Sequence, residues 1–189
     1  MIEHLEPRLS DWLLMEYSSA SRIVGRENLL ITNVRSPGER ARLSTIAKVR
    51  RERAFRAFRP RDLVILDPLA EMELDFRDLE QKRAVVIGGI LGDDPPQGRT
   101  GMMLTRLAKG AAVRNIGPHQ FSIDGAAYVA KLVWEGKRLE DIPVKVGVEV
   151  ELGPGHSVVL PYAYPLVGDK PLLPRGLISY LRKPWNLKA

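Results

Sequence analysis

The chain has 189 residues and a mass of 21.2 kDa, which fits one domain or one domain with a short appendage. It contains no cysteine, which excludes disulfides, thiolate metal sites, iron–sulfur clusters and cysteine nucleophiles. Its formal net charge of +6 hints at an anionic partner. No apolar run approaches the roughly 18–20 residues of a membrane span, and acids within the first six residues argue against a signal peptide. We therefore expect a cytoplasmic protein with no membrane partner.

Strand and helix signals alternate from the N-terminus to residue 136. Strands are predicted at residues 1–5, 28–34, 63–66, 84–87 and 111–114. Helices are predicted from Ser10 or Asp11 to residue 24 and at residues 39–58, 71–80, 102–108 and 122–135, the last capped by Ser122. This alternation predicts an α/β fold with a mostly parallel sheet and helices on both faces.

The remaining residues have a different pattern. Residues 145–152 alternate in polarity and are predicted to pair with residues 156–160 across a Gly-Pro-Gly turn. The tail from Pro161 is rich in proline and is predicted to be irregular. We expect one domain at residues 1–142 and, packed on it, a small β and irregular C-terminal extension at residues 143–189.

Residues 35–61 form a basic segment with ten basic side chains and two acids, a net charge of +8. Apolar residues interleave at spacings of three and four, which predicts an amphipathic helix. One interpretation is a solvated helix face. The other, favoured by the scarcity of acids, is a surface for RNA or the ribosome, because arginine binds phosphate through two parallel hydrogen bonds. The candidate substrate-binding residues are Arg50, Arg51 and Arg53 of this segment, together with Arg99 further along the chain.

Two glycine-rich loops follow successive buried strands. Residues 85–100 read VVIGGILGDDPPQGRT, and residues 113–130 read VRNIGPHQFSIDGAAYVA. Neither contains a P-loop or a dinucleotide-binding pattern. They could be ordinary strand–helix turns, but ligands of parallel sheets sit at the carboxyl ends of the strands, so two such loops favour a shared ligand pocket.

These loops, together with the opening IEHLEPRLSDWLLMEY, make the sequence recognisable. It resembles a family within the SPOUT (trefoil-knot) S-adenosylmethionine-dependent methyltransferases, and the resemblance extends through the tail to residues 177–181. Archaeal members are described as predicted RNA methyltransferases, whereas the fungal relative methylates an arginine of a small-subunit ribosomal protein. The resemblance implies a C-terminal trefoil knot, which pattern reasoning alone would not produce because true knots are nearly absent from proteins.

The resemblance also implies that the knot loops bind S-adenosyl-L-methionine. The first loop would contribute Gly88, Gly89, Ile90, Leu91 and Gly92. The second would contribute Asn115, Ile116, Gly117, Gln120, Phe121 and Ser122. A third wall would follow the preceding strand, at Ile65, Leu66, Asp67 and Pro68.

Methyl transfer needs an aligned nucleophile and a group that removes its proton, and it needs no metal. Asp93 is the first candidate because the resembled family carries an acid there; its alternative role is to cap the helix near Arg99. Asp124 and Glu6 are further candidates, although Asp124 in a first helical turn can simply face the helix dipole. Arg99 could bind the cofactor carboxylate, an RNA phosphate or Asp93. Glu16 within the first helix is assigned a structural role.

Three functions remain open from the sequence, and methylation of RNA is the first choice among them. The basic segment favours a methyltransferase acting on RNA, either rRNA or tRNA. The fungal relative and the acids near the pocket support a protein arginine methyltransferase acting on a ribosomal protein. The third is a non-catalytic RNA- or ribosome-binding module, against which the two intact glycine-rich loops argue. SPOUT enzymes usually pair through their knot helices, but more than fifty residues follow that helix here, so a monomer is favoured over a homodimer.

Overall fold

The computed structural model describes residues 1–183, which form a large parallel sheet and a smaller antiparallel one. The strands of the large sheet are β1 (Ile2–His4), β2 (Leu30–Thr32), β3 (Lys48–Val49), β4 (Leu63–Leu66), β5 (Ala84–Gly89) and β6 (Ala112–Arg114). Their order is β3-β2-β1-β5-β4-β6, and every neighbouring pair is parallel. The carboxyl ends of all six strands therefore meet at one edge, as the sequence predicts.

The helices within these residues are α1 (Asp11–Val24), α2 (Pro37–Leu43), α3 (Ala54–Ala57), α4 (Phe76–Glu80), α5 (Arg99–Met103), α6 (Ile123–Trp134) and α7 (Leu177–Leu181). The Ser10 side chain accepts a hydrogen bond from the Leu13 N–H, and that of Ser122 accepts one from the Gly125 N–H. Each bond satisfies a donor that the start of a helix leaves unpaired. No helix in the described part of the chain is long and apolar enough to cross a membrane.

Strand β4 shows why the sheet needs helices on both faces. Val64 and Leu66 belong to one buried cluster, with residues of α1 and α6, whereas Leu63 and Ile65 belong to a second cluster on the opposite face. Successive side chains of a strand point to opposite faces, so an all-apolar strand must be covered twice. The predicted α/β class is confirmed.

The single helix predicted over residues 39–58 is wrong. Helix α2 ends early, where the hydroxyls of Ser44 and Thr45 donate to the carbonyls of Ala41 and Arg42. The chain then extends, and Lys48–Val49 joins β2 as an edge strand. The apolar residues with helical spacing are distributed over three short elements, α2, β3 and α3, and the links between them.

The smaller sheet contains β7 (Val144–Gly153), β8 (His156–Val167) and β9 (Lys170–Pro171), all antiparallel. The pairing of residues 145–152 with residues 156–160 is confirmed, but the irregular tail from Pro161 is wrong because β8 continues to Val167. The ladder shifts register between Val146 and Val148, and Pro161 lies in that irregularity. A proline is tolerated there because a bulge removes the need for its missing N–H.

This second sheet packs on the first helix. Tyr164, Leu177 and Leu181 form a buried cluster against which Trp12 and Met15 of α1 pack. A bridge between Phe121 and Ala163 joins β8 to the segment that precedes α6. The extension thus lies directly behind the second glycine-rich loop. The last six residues of the predicted extension, 184–189, lie outside the described residues.

Candidate active site

A cleft opens at the carboxyl edge of the parallel sheet, between β4, β5 and the start of α6. Its walls come from residues 66–69, 87–100 and 116–126. Its lining combines apolar side chains with a small number of polar groups, as the linings of small-molecule sites do. The two glycine-rich loops follow β5 and β6, which flank β4 in the sheet, and they meet at one cleft as the sequence predicts.

Most of the residues predicted to bind the cofactor line this cleft. They are Leu66, Asp67, Pro68, Gly88, Ile90, Gly92, Ile116, Gln120, Phe121 and Ser122. Ile90, Ile116 and Phe121 offer apolar surface to a flat ring, and the glycines leave main-chain groups accessible. A Cβ on Gly92 would overlap the Gln120 amide and lie 2.6 Å from Cε1 of Tyr162, so this turn tolerates no side chain. The wall suits an adenosyl group.

Five predicted cofactor residues do not line the cleft, namely Ile65, Gly89, Leu91, Asn115 and Gly117. Gly89 packs against the core: a Cβ there would overlap the Tyr17 hydroxyl and lie 2.9 Å from the Glu3 carbonyl oxygen. Asn115 donates to the carbonyl of Ala70 and accepts from the N–H of Gly117, which shapes the second loop. The main chain of Leu91 bonds to the side chains of Glu6 and Arg99, and Ile65 is fully buried in the second core cluster.

Sequence reasoning left out several lining residues, namely Leu69, Ile87, Pro96, Gln97, Gly98, Thr100, His119, Ile123 and Ala126. Ala126 lies four positions after Ser122, so helical spacing from the cap could have identified it. Residues 96–98 belong to the first glycine-rich loop, which the sequence had already assigned to the pocket, whereas Leu69 is brought to the cleft only by the fold.

Two of the three candidate catalytic carboxylates converge on Arg99. Nε of Arg99 lies 2.7 Å from Oδ2 of Asp93, and Nη1 lies 3.3 Å from Oε1 of Glu6. Nη2 donates to the carbonyl oxygen of Leu91, and the Leu91 N–H donates to Oε1 of Glu6 at 3.0 Å. The Arg99 guanidinium is therefore bonded on three sides at the mouth of the cleft.

Asp124, the third candidate, lies in the interior with no exposed surface and does not line the cleft. Burial raises the pKa of its carboxyl, although the nearby Ser19 and Ser122 hydroxyls act in the opposite direction. Neither carboxylate oxygen makes a hydrogen bond of good geometry. A carboxyl so enclosed cannot reach a methyl acceptor, which leaves Glu6 and Asp93 of the three candidates.

Beside Asp124 lies Glu16, which sequence reasoning did not connect to the site. Its Oε2 accepts from the Ile123 N–H at 2.9 Å, and its Oε1 accepts from Nε1 of Trp12 at 2.7 Å. Burial, followed by the charge of Asp124, raises the pKa of Glu16 to about 8. Glu16 thus fixes the first turn of α6, whose Ile123 and Ala126 line the cleft.

The three candidate substrate arginines of the basic segment differ in their surroundings, whereas the fourth, Arg99, is held by Asp93 and Glu6. Nε of Arg53 lies 2.7 Å from Oε1 of the fully buried Glu3, and its Nη2 donates to the Met103 carbonyl at 2.5 Å. Its charge is neutralised inside the fold. Arg50 and Arg51 are exposed, and Arg50 stacks over the Phe58 ring at 5.9 Å. These two remain available to a partner.

A second groove runs beside the cleft, past the ends of β1 and β2. It is lined by His4, Leu5, Glu6, Pro7, Arg8, Asn33, Arg35, Ser36, Glu39, Arg53, Met103 and Leu107. Within this groove, the buried Oδ1 of Asn33 has no hydrogen-bond partner. His4 Nδ1 lies 3.0 Å from the Tyr17 hydroxyl, and burial lowers the pKa of His4 against the opposing charge of Glu39. Glu6 therefore faces this groove, whereas Asp93 and Arg99 face the cleft.

The fold and cleft together define a methyltransferase of the SPOUT type. A dual-specific Trm10 from Thermococcus kodakaraensis shares the fold: its TM-score is 0.56 at 17% identity, over 74% of this chain and 94% of that chain. The yeast arginine methyltransferase SFM1 complexed with S-adenosylhomocysteine (SAH) has a TM-score of 0.83 at 27% identity, over 95% of this chain and 92% of that one. The complex of the same enzyme with S-adenosylmethionine (SAM) gives 0.84, over 96% and 88%.

The sequences agree with this structural likeness. Residues 1–187 match the family described as protein arginine N-methyltransferase SFM1-like, and the chain belongs to that family. Protein arginine N-methyltransferase SFM1 of Saccharomyces cerevisiae is 27% identical over 199 residues, covering 97% of this chain and 93% of the yeast protein. The resemblance to SPOUT methyltransferases is confirmed, and so is the enzyme class. The trefoil knot stays a prediction.

Proposed function

We propose that this enzyme transfers a methyl group from S-adenosylmethionine to an arginine side chain of a protein, with a ribosomal protein as the acceptor. The observation that carries the proposal is the match of nearly the whole chain to the SFM1-like family. The sequence favoured RNA narrowly over arginine because of the basic segment. The relatives and the two accessible carboxylates shift the balance to arginine.

The methyl donor agrees with the relatives. SFM1 of yeast has been crystallised with SAM, with SAH and with methylthioadenosine (MTA), and the prediction of S-adenosylmethionine as cofactor is confirmed. The residues that would hold it are the cleft-lining glycines and the apolar side chains of Ile90, Ile116 and Phe121. When bound, it supplies a methyl group from a sulfonium, which becomes a neutral thioether as the new N–C bond forms and the S–C bond breaks.

The chain's own groups handle the acceptor. A guanidinium nitrogen that gains a methyl group must lose one proton, so that the product carries the same single positive charge as the substrate. Asp93, with a side chain 42% exposed, and Glu6, 18% exposed, are the acids positioned to orient a guanidinium and to pass its proton to water. The guanidinium of an arginine, a planar fork of N–H donors, matches two carboxylates better than a nucleotide base does.

The basic segment is compatible with this acceptor. A ribosomal protein is presented beside rRNA, so exposed arginines such as Arg50 and Arg51 would dock the particle while the cleft receives the side chain. The cytoplasmic location expected from the sequence belongs to the same proposal.

Transfer of a radiolabelled methyl group from SAM to ribosomal subunits tests the proposal. We expect the label in the protein fraction, where acid hydrolysis releases it as N-methylarginine. Nuclease digestion of the RNA should leave this label in place. Excess SAH is the control for specific transfer. Label that follows the RNA and disappears with nuclease would contradict the proposal and restore RNA as the acceptor.

A further inference from the structure

Arg99 sits in a site that is made for a guanidinium. Its three nitrogens face Asp93 at 2.7 Å, Glu6 at 3.3 Å and the main-chain carbonyl of Leu91. Two carboxylates and a carbonyl accept from three different nitrogens, which suits the fixed fork of an arginine better than the point charge of a lysine.

The loop that carries this site is fixed by other bonds. Nε2 of Gln120 donates to the Asp93 carbonyl at 3.2 Å, and the Tyr162 hydroxyl donates to the Gly92 carbonyl at 2.6 Å. The Leu91 N–H holds Glu6 independently of Arg99. The acceptor groups would therefore stay in place if the Arg99 side chain moved away.

Arg99 itself is not rigidly enclosed. Its side chain is 29% exposed, and it bonds to the partially exposed Glu6 and Asp93. Of its two ion pairs, the one with Asp93 is open to water, and such a pair is worth little because solvent screens the charges and competes for the donors. An incoming guanidinium would gain the same bonds that Arg99 gives up, so the exchange is close to balanced in free energy.

Arg99 lies where such an exchange would bring an acceptor guanidinium next to the cofactor. Asp93 and Arg99 line the cofactor cleft, whereas Glu6 lines the neighbouring groove. The ion-pair cluster is therefore the wall between the two cavities. A guanidinium that replaced Arg99 would enter from the groove and lie at the mouth of the cofactor cleft.

We propose that Glu6, Asp93 and the Leu91 carbonyl form the subsite for the acceptor guanidinium, and that Arg99 fills this subsite as a placeholder until the acceptor displaces it. This inference rests on the proposed function, since it requires an arginine acceptor. It assigns Arg99 a role in selecting the acceptor that differs from binding the cofactor carboxylate or RNA phosphate.

Calorimetry with a short arginine peptide tests the placeholder directly, with the citrulline peptide as the uncharged match. In Arg99→Ala the subsite is vacated, so we expect the arginine peptide to bind about tenfold more tightly than to the wild type, since the fraction of binding-competent sites rises. The citrulline peptide should not gain. Adding Glu6→Gln and Asp93→Asn to Arg99→Ala should abolish the gain. Arg106→Ala removes an exposed arginine outside both cavities and should leave binding unchanged.

Cofactor binding separates the alternatives. With Arg99 as placeholder, SAM and MTA should bind Arg99→Ala as they bind the wild type. If SAM binding weakens while MTA, which lacks the amino-acid carboxylate, binds as before, Arg99 holds the cofactor carboxylate and the proposal is overturned. Arg99→Gln, which keeps a donor for the Leu91 carbonyl, repeats each measurement should Arg99→Ala lower the melting temperature.

The transfer assay on ribosomal subunits distinguishes failure of this inference from failure of the proposed function. Label on protein arginine without tighter peptide binding by the Arg99 variants would overturn the placeholder alone. Label on RNA alone, with no arginine-peptide binding by any variant, would overturn both.

Discussion

Oε2 of Glu16 accepts a hydrogen bond from the N–H of Ile123, which links the first helix to the first turn of α6 across 107 residues of sequence. That turn lines the cofactor cleft. The link depends on a carboxyl whose pKa is raised to about 8 by burial and by Asp124, so stability should respond to pH.

Glu16→Gln should flatten the dependence of stability on pH. Between the ordinary pKa of 4.5 and about 8, the unfolded chain releases the Glu16 proton while the folded chain keeps it. The free energy of unfolding of the wild type therefore falls as pH rises through this window and levels off above it. Urea unfolding at pH 5, 6.5 and 8 measures the slope. Glu80→Gln, on the exposed side of α4, should keep the wild-type slope; equal slopes in all three proteins would contradict the prediction.

Substitutions of Arg53 should affect stability, whereas substitutions of Arg50 and Arg51 should affect substrate binding. Arg53→Met leaves the buried Glu3 without its cation and should cost about 3–5 kcal/mol of unfolding free energy. Replacing Arg50 and Arg51 by Met should change stability by less than about 1 kcal/mol. It should instead raise the KM for ribosomal subunits and flatten its salt dependence, since fewer counterions are displaced.

Denaturant unfolding and transfer rates at two salt concentrations give these quantities, and cofactor affinity should be unchanged in the double variant. If Arg50 and Arg51 can be neutralised with no effect on KM at either salt concentration, the basic segment is a solvated surface only.

Gly88 and Gly89 are neighbours with opposite surroundings. A Cβ on Gly88 would make ordinary contact with Thr100 Oγ1 at 3.4 Å at the cleft, whereas one on Gly89 would overlap the Tyr17 hydroxyl. Gly89→Ala should therefore lower stability by about 1–3 kcal/mol. Gly88→Ala should fold normally and weaken SAM binding by about tenfold, or roughly 1.4 kcal/mol.

Melting temperature and calorimetry with SAM distinguish the two glycine variants. The pair is informative because each variant is the other's control for an added methyl group in β5. Normal SAM affinity in Gly88→Ala would remove this glycine from the cofactor wall.

Asp93→Asn should slow the chemical step more than it weakens cofactor binding. The amide keeps the size of the side chain but cannot accept the acceptor's proton or balance its charge, and losses of this kind are about 10²–10⁴-fold in rate. Single-turnover transfer at saturating SAM measures it. Asp124→Asn is the comparison, because the buried Asp124 should affect stability and not kcat. A near-normal rate for Asp93→Asn would assign the proton to Glu6.

The enzyme should be a monomer in solution. Residues of β8 and α7 pack against α1, and β8 bridges to the segment before α6, so the extension covers the surroundings of the helix that SPOUT enzymes use for pairing. Light scattering over a dilution series should give the 21.2 kDa of one chain. A mass twice as large at micromolar concentration would show that the extension leaves the pairing face free.

Much of the site follows from local pattern. The all-apolar strands β4 and β5 predict a parallel sheet covered on both faces, and the serine caps of α1 and α6 are readable because an N-cap is a short-range interaction. The glycine-rich loops also mark the cleft locally, because a main chain that approaches a ligand closely needs residues without a side chain.

Sequence by itself determined the fold class, the edge of the sheet where the cleft lies and, through its motifs, the enzyme family. Only the tertiary structure decided which carboxylates act together. Glu6 and Asp93 are 87 residues apart, yet both bond to Arg99, while Asp124, with an equally plausible local pattern, is buried against Glu16. In the same way, long-range contacts divide the basic segment into three elements and pair Arg53 with the buried Glu3. Burial and ion pairing depend on what the rest of the chain brings alongside, and that is set by long-range packing which no local spacing encodes.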